Sequence, residues 1–190
     1  MDLTPRQSEL ADAALRLLGR EGMAAVTFRS VAAESGWSLG AVQKAFASKD
    51  DLLAAMLTRL RATAAPGPES PPGQPDVATW LTELFISILP IDDARRALTL
   101  QGSAFGERAA YDPGMARVIA ASDAEVRGLV AALIRSGQAN GELSAAIDAE
   151  AAAWAFLALA QGAATQLLYD PVPLEELRRR AEVAVRALLS

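Results

Sequence analysis

The stretch SGWSLGAVQKAF, residues 35–46, places a helix end, a helix start and two polar residues within a short length of chain. Gly36 can end one helix because glycine readily adopts the left-handed backbone conformation. Ser38 can begin the next, since its hydroxyl can accept a hydrogen bond from a free N–H of the first turn. Trp37 and Val42 stand where a hydrophobic staple would fix the angle of entry. The stretch predicts two short helices separated by a three-residue turn.

The second of these helices has two different faces. Val42, Ala45 and Phe46 share an apolar face that would anchor the helix. The opposite face carries Gly40, Gln43 and Lys44. Glutamine offers a donor and an acceptor to a base edge, and lysine can reach guanine or a phosphate. Such a helix pair, with a preceding helix packed across it, is typical of a helix-turn-helix whose second helix enters the DNA major groove.

An ordinary helical bundle remains an alternative interpretation of the same residues. Capped helical hairpins with a solvated polar face occur in many bundles. Thr27 and Ser38 would then be helix caps and nothing more. The local pattern alone leaves both interpretations open.

The rest of the chain also shows helical patterns, with no sustained two-residue alternation of the kind that indicates strands. Thr4 and Gln7 form a capping box with Pro5 at the first helical position, which predicts a helix to about Gly22. Ser48 begins a fourth helix by the same chemistry. Further helices are predicted over 76–89, 92–110, 113–137, 148–169 and 173–189. We therefore expect an all-α protein of about nine helices.

A proline-rich segment divides the chain. Residues 65–75, APGPESPPGQP, hold five of the ten prolines and cannot be helical. We predict a helix-turn-helix domain over 1–60, a stiff connector over 61–75, and a larger helical domain over 76–190.

Composition excludes most kinds of enzyme. The chain of 190 residues has no histidine and no cysteine, so the commonest general base and metal ligands are missing. We expect no enzymatic activity, no cofactor and no metal site. The net charge is −5, but residues 1–50 contain equal numbers of acidic and basic residues. The acidity lies in the remainder of the chain, so it does not exclude DNA as a partner.

The N-terminus, MDLTPRQSEL, lacks the basic and apolar pattern of a signal peptide, and we expect a cytoplasmic protein. The apolar segment 151–169 is interrupted by polar residues and is rich in alanine, which argues against a membrane span. The interrupting residues are Gln161, Gly162, Thr165 and Gln166.

Residues 14–57 resemble the N-terminal domain of TetR-family transcriptional regulators. The matching features are Glu21-Gly22, Thr27, Arg29, Val31-Ala32, Gly36, Ser38, Gly40, Phe46 and Ser48-Lys49-Asp50-Asp51-Leu52-Leu53. Gln43 stands where the family commonly has a tyrosine that grips a phosphate, and Ala45 where it has an aromatic residue. From the pattern and the resemblance together, the predicted DNA contacts are Thr27, Arg29, Ser38, Leu39, Gly40, Gln43, Lys44 and Lys49.

The helix predicted over 148–169 is apolar on nearly all sides, which requires two surfaces to bury it. A second copy of the chain is the simplest second surface, and the helix over 173–189 could complete a four-helix bundle. The resemblance implies the same arrangement. The predicted dimer contacts are Leu157, Ala158, Gly162, Ala163, Leu177 and Val185.

An effector pocket is predicted among the helices of the larger domain. Its candidate residues are Trp80, Leu84, Phe85, Gln101, Phe105, Met115 and Trp154. Gln101 is the best polar candidate because it lies on an otherwise apolar stretch, and the ligand should be largely apolar because no basic cluster is evident. The alternative is that each of these residues belongs to an ordinary core, since aromatic residues dominate cores.

Together these patterns predict a homodimeric, ligand-responsive, sequence-specific DNA-binding regulator. It would act as a repressor that a small effector releases from operator DNA, because ligand and DNA would favour different conformations. The alternative is an all-α carrier or sequestering protein that binds a small molecule and no DNA.

Overall fold

The computed structural model describes residues 3–63 and 76–190, and all the regular secondary structure in these ranges is helical. The helices are α1 (Pro5–Glu21), α2 (Phe28–Ser35), α3 (Leu39–Ala45), α4 (Lys49–Thr63), α5 (Val77–Ser87), α6 (Asp93–Ala109), α7 (Pro113–Ala139), α8 (Ala149–Leu167) and α9 (Leu174–Leu188), with a 3-10 turn at Met23–Ala25. The all-α prediction is confirmed. Apart from the end of α4, the predicted connector at 61–75 lies outside the described residues.

The helix starts form where the sequence predicts them. The hydroxyls of Thr4, Thr27, Ser38 and Ser48 each accept a hydrogen bond from the backbone N–H three residues later. These bonds satisfy N–H groups that have no partner within the helix. After α2 the chain turns at Gly36, whose φ of 75° lies in the left-handed region that favours glycine.

The helices fall into two compact units. The first unit contains α1–α4 and residues Ala97–Ile119. The second unit contains α5 with the residues that follow it as far as Arg96, and residues Ala120–Ser190. This division differs from the predicted domains 1–60 and 76–190. The physical reason is that Phe105 and Met115 are buried in the same core as the N-terminal helices.

The core of the first unit is centred on α1. Leu10, Leu17 and Leu18 are buried there, together with residues of α2, α3 and α4. Gln101 is also buried, and its amide nitrogen donates to the Leu15 carbonyl oxygen at 2.9 Å. This bond ties α6 to α1 within the unit and satisfies a polar group that would be costly to bury alone.

The core of the second unit lies between α5, α7, α8 and α9. Phe85 of α5 meets Phe156 of α8 edge to face, with ring centroids 5.7 Å apart, a favourable geometry for aromatic rings. Arg178 of α9 pairs with Glu83 of α5 at the edge of this core. Across both described ranges, no helix combines the length and apolar character that a membrane span would need.

Glu34 of α2 joins two arginines of α1. Its carboxylate lies 3.0 Å from Arg16 Nε and 2.7 Å from Arg20 Nη2. These hydrogen bonds, that of Arg20 foremost, lower the pKa of Glu34 to about 2. The folded state therefore favours the charged form of Glu34. The contribution of Glu34 to stability is complete above its ordinary pKa, and it is lost as the pH falls through the lowered pKa of the folded state.

We therefore expect Glu34→Gln to lower the free energy of unfolding most above about pH 4.5, the ordinary value for this carboxyl group. The difference from the wild type should narrow as the pH falls toward about 2, where Glu34 itself becomes protonated. Urea unfolding of both proteins at several pH values, from above about 4.5 down to about 2, measures this difference in the free energy of unfolding. Glu9→Gln, an exposed change on α1, serves as the control. A difference that stays constant across the window would contradict this role of Glu34.

Candidate nucleic-acid interface

Residues 36–38 join α2 to α3 in a tight turn, and the inner faces of both helices are buried. Val31 of α2 and Val42 of α3 are fully enclosed, and Phe46, directly after α3, is 2% exposed. These side chains belong to the core that α1 organises. The apolar anchor that the sequence predicts for α3 is therefore present.

The outer face of α3 carries three exposed residues, Gly40, Gln43 and Lys44. Thr27 and Arg29 are exposed at the start of α2, and Lys49 is exposed at the start of α4. Leu39 differs from the other predicted contacts because it is half-buried and packs against the core. The structure thus gathers the predicted polar contacts on α3 and on the first turns of its sequence neighbours.

The cations of the first unit fall into two groups. Arg16 and Arg20 pair with Glu34, Arg59 pairs with Asp12, and Arg108 pairs with Asp112. Within the described ranges 3–63 and 76–190, no ion pair joins Arg29, Lys44 or Lys49 to a carboxylate. The cations on and beside α3 therefore keep their charge available to an external anion.

Two side chains of α1 also reach α3 and its preceding turn, and the sequence analysis missed both. Gln7 Nε2 donates to the Ala45 carbonyl oxygen at 3.1 Å. The guanidinium carbon of Arg6 lies 4.5 Å from the centroid of the Trp37 ring. The sequence indicates Gln7 only as part of the capping box, because local spacing does not show a contact across 38 residues.

Family models match almost the whole chain. The model described as "BetI-type transcriptional repressor, C-terminal" matches residues 75–190, which is more than half of the sequence. The model described as "Bacterial regulatory proteins, tetR family" matches residues 10–56. The chain belongs to the TetR family. This confirms the resemblance, and because the family consists of transcriptional regulators, it also confirms that the protein is not an enzyme.

Several solved structures share the fold over nearly the full length. A transcriptional regulator from Rhodococcus sp. Rha1 is 26% identical, with a TM-score of 0.81 over 96% of this chain and 95% of that one. A TetR transcription regulator from Haloarcula marismortui is 27% identical, with a TM-score of 0.80 over 97% and 98%. The multidrug binding protein EbrR, solved with ethidium, is 26% identical, with a TM-score of 0.72 over 97% and 99%.

A curated relative matches over a shorter length. The HTH-type nicotine-responsive transcriptional repressor HdnoR from Paenarthrobacter nicotinovorans is 38% identical over 55 residues. This match covers 29% of the present TetR-family chain and 28% of HdnoR. It therefore spans less than a third of that relative.

The seven residues predicted to line an effector pocket are distributed over both compact units of this TetR-family chain. Trp80, Leu84 and Phe85 belong to the core of the second unit. Phe105 and Met115 belong to the core of the first, where Gln101 is bonded to Leu15. Trp154 is 64% exposed. The structure gives Gln101 a partner within the chain and places Trp154 on the surface of its unit.

A cavity lies wholly within the second unit. It occupies about 140 Å³ among α5, α8 and α9. Its lining is mostly apolar, with Phe85, Leu167 and Leu177 among its members, and also includes the polar Gln166, Asp170 and Arg180. Its size suits a benzene-sized group, since a cavity of roughly 150 Å³ accommodates benzene. Phe85 is the one member of the predicted effector set in its wall.

The six predicted dimer contacts differ in how far each is buried within its own subunit. Ala158 and Gly162 are exposed on α8, and Ala163 is half-buried. Leu177 and Val185 belong to the core of their own unit, and Leu157 is 8% exposed. The apolar stripe of α9 is therefore used within the subunit, which the sequence pattern could not distinguish from use between subunits.

Proposed function

We propose that this TetR-family chain is a homodimeric repressor that reads operator DNA with α3 and leaves it when a small effector binds. The observation that carries the proposal is the exposed face of Gly40, Gln43 and Lys44, held on a buried anchor of Val42 and Phe46. A short helix fixed from behind and polar in front suits insertion into the major groove.

Gly40 supports a close external contact. A Cβ added at Gly40 would meet only the Ser38 hydroxyl, 4.0 Å away. The fold of the described chain therefore has room for a side chain there. Gly40 is the second residue of α3, and glycine loses more conformational entropy than alanine when it is fixed in a helix. Close approach of a DNA backbone or base edge to α3 would account for this cost.

The charge distribution supports DNA as the partner. Arg29, Lys44 and Lys49 have no carboxylate partner among the described residues, although arginines elsewhere in the same unit are paired. Free cations around a recognition helix release counterions when they meet phosphates, which gives affinity that depends on salt. We expect Gln43 to read a base edge, most naturally adenine, and a contact with a phosphate is the alternative.

The exposed face of α8 supports a homodimer. Trp154, Ala158 and Gly162 are exposed, and Tyr169 follows the helix with 73% of its surface exposed. No charged residue occurs between positions 151 and 169. An uncharged face with small residues between two aromatic ones suits close packing of two copies, and a dimer would present two α3 helices to two half-sites.

The proposed effector is small and largely apolar. In the second unit the described core buries a single polar residue, Thr82, whose hydroxyl donates to the Ala78 carbonyl oxygen within α5. A ligand held by this core would therefore make mostly apolar contacts. EbrR was solved with ethidium, a planar aromatic cation, which supports an effector of aromatic character. Effector and operator would oppose each other because each favours a different conformation of the dimer.

We expect the purified protein to bind a DNA fragment from upstream of its own gene more tightly than an unrelated fragment of equal length. Gln43→Ala should weaken binding to the upstream fragment by about 1–3 kcal/mol, the usual value of a bidentate base contact. Binding to the unrelated fragment should hardly change. Fluorescence anisotropy titrations measure both, and sedimentation velocity confirms that the variant keeps its oligomeric state.

Equal affinity of the wild type for both fragments would contradict sequence-specific binding. Small-molecule binding with no DNA binding at all would favour the carrier instead.

We expect Ala158→Glu to convert the dimer to monomers, because it buries a carboxylate in an interface with no facing cation on α8. Sedimentation equilibrium measures the change. Ala132→Glu, on an exposed position of α7, should leave the dimer intact. If the α8 variant dimerises as tightly as the wild type, this face is not the interface.

A further inference from the structure

The first turn of α1 contacts both ends of the α3 segment. Gln7 Nε2 donates to the carbonyl oxygen of Ala45, the last residue of α3. Arg6 lies over the ring of Trp37, which directly precedes the Ser38 cap of α3. Since α3 has only seven residues, these contacts bracket it. The position of Arg6 is therefore fixed relative to the helix that carries Gln43.

Several local interactions hold Arg6 in place. Thr4 and Gln7 close a capping box around it, and Pro5 occupies the first helical position. The indole face of Trp37 attracts the guanidinium through its negative π surface. This stacking orders a long side chain that would otherwise lose conformational entropy when it binds. Arg6 is thus prepared for an interaction before any partner arrives.

The charge of Arg6 is not neutralised by the stacking. No carboxylate among residues 3–63 and 76–190 forms an ion pair with it, whereas Arg16 and Arg20 of the same helix both pair with Glu34. A guanidinium stacked through its face keeps its N–H groups at the edge, where they can donate to an oxyanion. Arg6 is exposed, so those groups are accessible.

Arg6 also adjoins the outer face of α3. It lines one groove together with Thr4, Pro5, Gln7, Lys44 and Ala45. Lys44 belongs to the polar face that is proposed to enter the major groove. The groove therefore connects the cationic surface of α3 with the first turn of α1, so one phosphate backbone could contact both Lys44 and Arg6.

We propose that Arg6, held on Trp37, donates to a DNA phosphate and adds a contact outside the helix-turn-helix. Gln7 acts as a positioning residue that keeps the end of α3 at a fixed place beside it. The proposal rests on the proposed DNA-binding function. A phosphate contact of this kind sets affinity and register on the duplex, and it carries no sequence information itself.

The test is the dependence of DNA affinity on salt for the full-length protein and three variants. Arg6→Gln should weaken binding to the upstream fragment and to an unrelated fragment by the same factor. It should also reduce the slope of log affinity against log salt by about one, the value for one lost phosphate contact. Arg6→Lys keeps the charge and should keep the slope. Arg16→Gln, an exposed but paired arginine of the same helix, should leave the slope unchanged.

Three results separate the possibilities. The proposal is overturned if Arg6→Gln keeps the wild-type slope, or if it weakens binding to the upstream fragment only. In either case Arg6 merely supports Trp37. If Arg6→Gln and Arg6→Lys lose the same amount of slope, charge is not the cause, which also overturns it. If the wild type binds neither fragment in a salt-dependent way, the proposed function itself fails. Thermal unfolding of each variant confirms that it is folded under the binding conditions.

Discussion

Burial of one apolar face of α1 is the constraint on which the first unit depends. Leu10 and Ala14 are fully enclosed, and Leu18 is 5% exposed. Their neighbours in the core come from α2, α3 and α4, together with Phe105 of α6 and Met115 of α7. Removing this face from water is the main favourable term available to so small a unit. The positions of the other helices follow from it.

Helix α3 illustrates this dependence. A helix of seven residues is not stable by itself in water, because forming the first turn orders several residues for only one hydrogen bond. Ser38 satisfies its N-terminus, Val42 and Phe46 attach it to the core, and Gln7 bonds to its last carbonyl. Each attachment lies behind or at an end of α3. The outer face is therefore not needed to hold α3 in place, and it presents Gln43 and Lys44.

The sequence was sufficient for features whose causes are local. The helix starts at Thr4, Thr27 and Ser38 follow from capping chemistry that operates over three or four residues. The partners of buried faces could not be predicted. An apolar stripe indicates that a helix face is buried, but it does not indicate which surface covers that face. Phe105 and Val185 are examples: each lies in a core within one unit. The sequence pattern left a ligand contact open for the first and favoured a partner-subunit contact for the second. The contact of Arg6 with Trp37 was missed for the same reason.

In the proposed function, two copies of α3 occupy major grooves of operator DNA. Methylation protection of guanine N7 atoms measures this most directly, because these atoms lie in the major groove. On the bound upstream fragment, we expect two protected patches separated by about 10–10.5 base pairs, or a multiple of that distance. A single patch, or binding that leaves every guanine N7 as reactive as in free DNA, would contradict it.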